Sequence, residues 1–113
     1  MLDIRLYMAQ RLSALIMAPL VFGHIAVMIY AVQGGLSASE ILGRTAGSFT
    51  WAFFYGLFAV AVAVHAAIGL RVIAHEWTGL RGAGLSGLTW GSCALLGYMG
   101  LSAVWAVTFG ASV

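Results

Sequence analysis

Three long apolar runs dominate the chain. They cover about Leu12–Val32, about Phe49–Ile73 and about Leu88–Phe109. Each reaches the roughly 20 residues that a helix needs to cross the hydrocarbon core of a bilayer. The polar stretches between them are short. Met1–Gln10 reads as an interfacial lead-in to the first helix. Gln33–Ser48 reads as a Gly- and Ser-rich loop with room for a short interfacial helix over Ser37–Leu42, where Ser37 and Glu40 have the spacing of a capping box. Thr78–Gly87, with Gly79, Gly82, Gly84 and Gly87, reads as a flexible connector. The expected fold is an all-α integral membrane domain of three transmembrane helices over residues 1–113.

Composition enforces the same conclusion. Of 113 residues 63% are hydrophobic and only 7% charged, with mean hydropathy +1.04. A water-soluble domain of this size cannot hide so much apolar surface. The first run is too long for a cleaved signal peptide, so it is expected to be its own insertion signal. A net charge of +2 is far too small to suggest nucleic-acid binding, and the single cysteine, Cys93, reads as a packing residue rather than half of a redox pair.

Where the charges lie matters more than their sum. Arg5 and Arg11 flank the first run, and Arg71 and Arg81 border the second connection. Arg44 is offset by Glu40, and the tail carries no charge. Positive residues favour the cytoplasm, which puts the N-terminus inside and the C-terminus on the periplasmic side. Trp51, Trp77, Trp90 and Trp105 then form belts at both interfaces.

Against that background one stretch stands out, His65-Ala-Ala-Ile-Gly-Leu-Arg-Val-Ile-Ala-His-Glu-Trp77. An ionisable residue deep in a span is costly and marks a functional site, and histidine is a common haem-iron ligand. Gly69, one turn from His65, has no side chain and leaves a flat slot. Arg71 lies about 9 Å along the axis from His65, within reach of an acidic group of the same ligand. Elsewhere, Pro19 is expected to kink the first helix or free a carbonyl. His24, in its outer half, is either a second iron ligand or a hydrogen-bonding partner for another helix. Arg11, with Ser13 beside it, either snorkels or lines a polar pocket at the cytoplasmic mouth.

These residues resemble a known family, the cytochrome b membrane-anchor subunits of succinate dehydrogenase (respiratory complex II) and their fumarate reductase relatives. The resemblance rests on Arg11-Leu-Ser13 at the start of the first span, and on His65-Ala-Ala-Ile-Gly69-Leu-Arg71 followed by Glu76 at the end of the second. The large-anchor type is the nearer one. Gln10 stands where a histidine is frequent, Tyr7 where a quinone-binding serine can occur, Val72 where histidine is common, and Trp77 where the small anchor has a tyrosine.

The resemblance implies a b-type haem with His65 as one axial ligand and a second histidine from a companion three-helix anchor. Arg71 would neighbour the haem propionates or a subunit interface, with Gly69 packing on the haem. Arg11 and Ser13 would line a ubiquinone pocket near a docked iron–sulfur subunit, which in turn carries a flavoprotein. Tyr7 and Trp77 are further candidate hydrogen-bond donors to the quinone. The implied location is a bacterial inner membrane. The alternatives are a haem-free anchor, a di-haem anchor using both His24 and His65, and a small transporter. The last is disfavoured because every acidic residue lies near an interface.

Overall fold

A computed structural model describes residues 3–110, and the first two residues of the expected lead-in and the uncharged tail from 111 lie outside them. The described residues form four helices: α1 (Ile4–Gly34), α2 (Ala38–Thr45), α3 (Phe49–Thr78) and α4 (Gly82–Thr108). No strand occurs among the described residues. Helices α1, α3 and α4 are each long and apolar enough to cross a membrane. Lipid leaves a backbone no water to bond, so a spanning segment must satisfy its own N–H and C=O groups, and a helix does so.

Two of the long helices start earlier than the apolar runs suggest. Among the described residues, helix α1 has no separate lead-in. Asp3 accepts a hydrogen bond from the Leu6 amide at 2.9 Å and caps a helix that continues unbroken through Pro19. Helix α4 begins at Gly82, so the expected ten-residue connector shrinks to Gly79–Arg81. The Gly84 and Gly87 signal was outweighed by packing. Leu85 and Thr89, one turn apart, are both buried, and a glycine penalty of about 1 kcal/mol is small beside a well-packed face. The sharp reversal rests on Gly79, whose φ of +73° closes α3 in the left-handed region, with its amide bonded to the His75 carbonyl.

Helix α3 is the middle of the bundle. Its contacts with α1 and α4 run antiparallel on two separate faces. Against α1, Gly23 meets Phe54, His24 meets Tyr55 and Phe58, Ser13 meets His65, and Gln10 approaches Gly69. Against α4, Ala59 meets Gly100, Ala63 meets Gly97, and Arg71 meets Thr89. Small residues make this possible. Among the described residues, the buried apolar ones are Ala31, Ala61, Ala63, Ala67, Ile68 and Leu85, four of the six being alanine. Large side chains such as Phe22, Phe53, Trp90 and Tyr98 point outward, where lipid or other subunits cover them.

The short helix α2 closes the far end. Ser37 and Glu40 form the expected capping box, and the helix extends to Thr45, beyond the expected Leu42. Thr45 then donates to the Val107 carbonyl at 2.7 Å, and the Gly47 amide donates to the Thr108 carbonyl, also at 2.7 Å. Those bonds fasten α2 to the last turn of α4.

Two outcomes follow. A Cβ at Gly100 would lie 2.9 Å from the Ala59 Cβ, whereas one at Gly43 meets nothing within 4 Å. Gly100→Ala is therefore expected to lower thermal stability by about 1–3 kcal/mol, and Gly43→Ala to leave it unchanged or slightly raised, as read by melting of the detergent-solubilised complex. The second outcome concerns pH. Hydrogen bonds from the Ser37 hydroxyl and amide, with a smaller contribution from Arg44, hold the Glu40 carboxyl below its ordinary value. A depressed carboxyl stabilises the fold above its unfolded pKa, and that stability is lost as pH falls through the lower, folded value. Hydrogen exchange of the α2 amides should thus rise on acidification below the ordinary carboxylate range in wild type. In Glu40→Gln it should already be raised at neutral pH and vary less.

Candidate functional site

The seam between α1 and α3 holds a small polar cluster. Ser13 sits one turn after Gln10 on the inward face of α1 and is only 5% exposed. Its hydroxyl donates to the Gln10 carbonyl at 2.9 Å. The same oxygen lies 3.4 Å from Nδ1 of His65, a long contact across the seam. A serine hydroxyl has one proton and that proton goes to Gln10, so the oxygen can only accept from His65. The contact is a hydrogen bond in the tautomer that carries its proton on Nδ1. In that tautomer the lone pair on Nε2 is available, as a metal ligand requires.

Gly69 lies one turn further along, with the Gln10 side-chain nitrogen 3.8 Å from where a Cβ would be. That is ordinary contact, so nothing in this chain's own packing demands glycine there. The Gln10 carbonyl oxygen Oε1 is buried without a hydrogen-bond partner among the described residues. The chain thus offers an imidazole with the correct free nitrogen, a missing side chain next to it and an unmatched polar atom. Those features fit a haem held at His65. Gln10 escaped notice in the sequence as a member of this cluster. Its spacing of three residues from Ser13 was the available signal.

Arg71 does not join that cluster. Six residues after His65, it is displaced by about a third of a turn around the helix, and it faces α4. Its Nη1 donates to Thr89 Oγ1 at 3.1 Å, while its Nε is buried without a partner. Reaching a propionate of a macrocycle at His65 would require the side chain to leave Thr89. Thr89 passed unremarked as an apolar-run residue, although a threonine mid-helix is a ready partner for an intramembrane cation.

The expected quinone residues separate likewise. Arg11 and Tyr7 pair on the exposed face of α1, with Arg11 Nη1 donating to the Tyr7 hydroxyl at 3.4 Å and the guanidinium carbon 5.6 Å from the ring centroid. Ser13 points the other way, into the α1–α3 seam. Trp77, 84% exposed, stands at the end of α3. This chain alone does not gather the four into one pocket. His24 lies on the same seam as His65 but two to three turns away, its ring centroid 5.2 Å from Phe58 and 6.3 Å from Tyr55. Its Nδ1 is buried and unpartnered among the described residues.

Residues 2–109 match the family model of the succinate dehydrogenase/fumarate reductase transmembrane subunit. The chain belongs to that family. No curated protein and no solved structure matches it. As a succinate dehydrogenase/fumarate reductase transmembrane subunit with three apolar spanning helices, it is a multi-pass membrane protein and a membrane component of one of those complexes.

The Arg71–Thr89 bond carries its own expectation. Thr89→Val keeps the side-chain volume but removes the oxygen that Arg71 bonds, and a hydrogen bond to a charged group is worth about 1.5–3 kcal/mol. Melting of the detergent-solubilised complex should fall accordingly, and Thr89→Ser should restore most of the loss.

Proposed function

We propose that this subunit is a haem b-carrying anchor of the large type in a succinate:quinone oxidoreductase of a bacterial inner membrane. Its N-terminus would lie in the cytoplasm. A second three-helix anchor would supply the other axial histidine, and an iron–sulfur subunit bearing the flavoprotein would dock at the cytoplasmic end. The observation that carries this reading is the Ser13–His65 contact, which turns the ring so that Nδ1 is spent on the protein and Nε2 is kept for a ligand.

Haem b bound there would supply one-electron storage between the iron–sulfur subunit and the quinone. The chain's own residues have simpler tasks. Ser13 fixes the plane and tautomer of His65 by accepting its Nδ1–H. Gly69 leaves the face beside the ring open. On the outer face of α1, Arg11 provides a permanent cation that can stabilise a partly reduced quinone oxygen. Tyr7, already hydrogen-bonded to Arg11, offers a hydroxyl to ubiquinone, and exposed Trp77 can offer its indole N–H. The companion anchor and the iron–sulfur subunit complete that pocket. Ser13 has its proton committed to Gln10 and serves His65 rather than the quinone. The isolated subunit performs no succinate chemistry.

A second reading, a di-haem anchor, is favoured by one observation, the buried and unpartnered Nδ1 of His24. A dithionite-reduced minus oxidised visible spectrum of the purified complex separates the two. One haem predicts a b-type signal that His65→Ala abolishes and His24→Ala preserves. Two haems predict partial loss in each variant, and the absence of any signal in the wild type removes haem from the proposal. Ser13→Ala should keep the signal but raise the midpoint potential. An imidazole that loses its acceptor is a poorer electron donor to ferric iron. A difference of about 1 kcal/mol corresponds to roughly 40 mV for one electron, so an upward shift of tens of millivolts in a redox titration is the expected result.

A further inference from the structure

Beyond that reading, the opposite seam of α3 carries a feature that neither haem nor quinone uses. Where α3 turns into α4, Arg71, His75, Arg81, Gly82 and Leu85 line a polar cleft of about 370 Å³. Two of these residues are permanently cationic. Arg71 presents a buried Nε with no partner, and Arg81 makes no hydrogen bond or ion pair among the described residues. His75 has its Nδ1 3.0 Å from the Leu80 carbonyl, which fixes the ring against the joint as a donor there. The first turn of α4 opens onto the same cleft with no acidic residue and no side-chain cap, so its amides add positive potential. Glu76 is the nearest carboxylate in sequence, and it is exposed and pairs with neither arginine.

The position of the cleft narrows the ligand. Arg71 bonds Thr89, whose neighbour Trp90 is 73% exposed. Exposed tryptophans mark the headgroup level of a bilayer. Leu80, whose carbonyl holds His75, is itself partly exposed and adds apolar surface at the joint. A cluster of cations between two spanning helices at that depth has the chemistry of a phosphate-group site.

We propose that the α3–α4 cleft binds a phosphate group, seated between Arg71 and Arg81 over the first turn of α4, and that its source is the headgroup of an anionic phospholipid. Such a lipid would stiffen the three-residue joint by tying both helix ends to one ligand.

The test uses the assembled complex in nanodiscs of phosphatidylglycerol or of phosphatidylcholine, followed by detergent extraction and native mass spectrometry. Retention of one phosphatidylglycerol in wild type is the expected result. Arg81→Gln should reduce that retention roughly tenfold, and Arg71→Gln with Arg81→Gln should reduce it further. Arg5→Gln, which removes a cation remote from the cleft, should not. Arg81→Gln carries the comparison if the double variant fails to assemble, because its guanidinium holds no internal contact. A parallel arm adds inorganic phosphate during extraction. Displacement at millimolar phosphate, together with phosphate binding to the delipidated complex, keeps the phosphate site but reassigns its source to the free anion. Equal retention of both lipids in wild type and variants overturns the proposal. So does loss of the iron–sulfur subunit from Arg81→Gln at unchanged lipid retention, which would mean that a carboxylate of that subunit fills the cleft.

Discussion

Close approach of backbones at α3 is the constraint on which the rest of the structure depends. In lipid the helices gain nothing by hiding leucine from water, since the solvent is itself hydrocarbon. What holds them is the contact allowed when side chains are small. Ala59 against Gly100, and Ala63 against Gly97, bring α4 onto one face of α3, and Gly23 against the Phe54 ring brings α1 onto another. Once those distances are set, polar groups on facing helices come within bonding range of each other. The Ser13–His65 and Arg71–Thr89 contacts are consequences of that proximity.

The two faces of α3 thereby acquire different chemistry. Toward α1 the polar atoms are neutral and directional, with a serine that spends its proton on its own helix so that it can only receive one from His65. Toward α4 they are cationic and clustered at one end. A helix with 3.6 residues per turn makes this division unavoidable for residues six apart, such as His65 and Arg71. Linear spacing along the axis suggested that both would serve one ligand. Rotation about the axis assigns them to separate neighbours.

Much of this was readable from the residues. The three spans follow from apolar runs of sufficient length, and the motif around His65 named the family that the whole-chain match supports. The capping box at Ser37 and Glu40 was equally plain, because its signal is local. What the sequence hid was whatever depends on the partner helix. The early start of α4 at Gly82 is decided by Leu85 and Thr89 burying against a neighbour, which no glycine count reveals. The roles of Gln10 and Thr89 are of the same kind. Each is an unremarkable residue until a second helix places His65, Gly69 or Arg71 opposite it.

The α2 clasp has a bearing on the order in which the molecule can be assembled. Its hydrogen bonds run from Thr45 and Gly47 to the carbonyls of Val107 and Thr108, more than sixty residues later in synthesis. The three-residue joint lets α3 and α4 settle as one hairpin, and Arg44 of α2 already lies 5.4 Å from the Tyr30 ring centroid of α1, yet the α2 hydrogen bonds cannot form until the final turn of α4 has been made. The clasp itself must therefore wait for both later helices. Closing it is the last step in building the bundle.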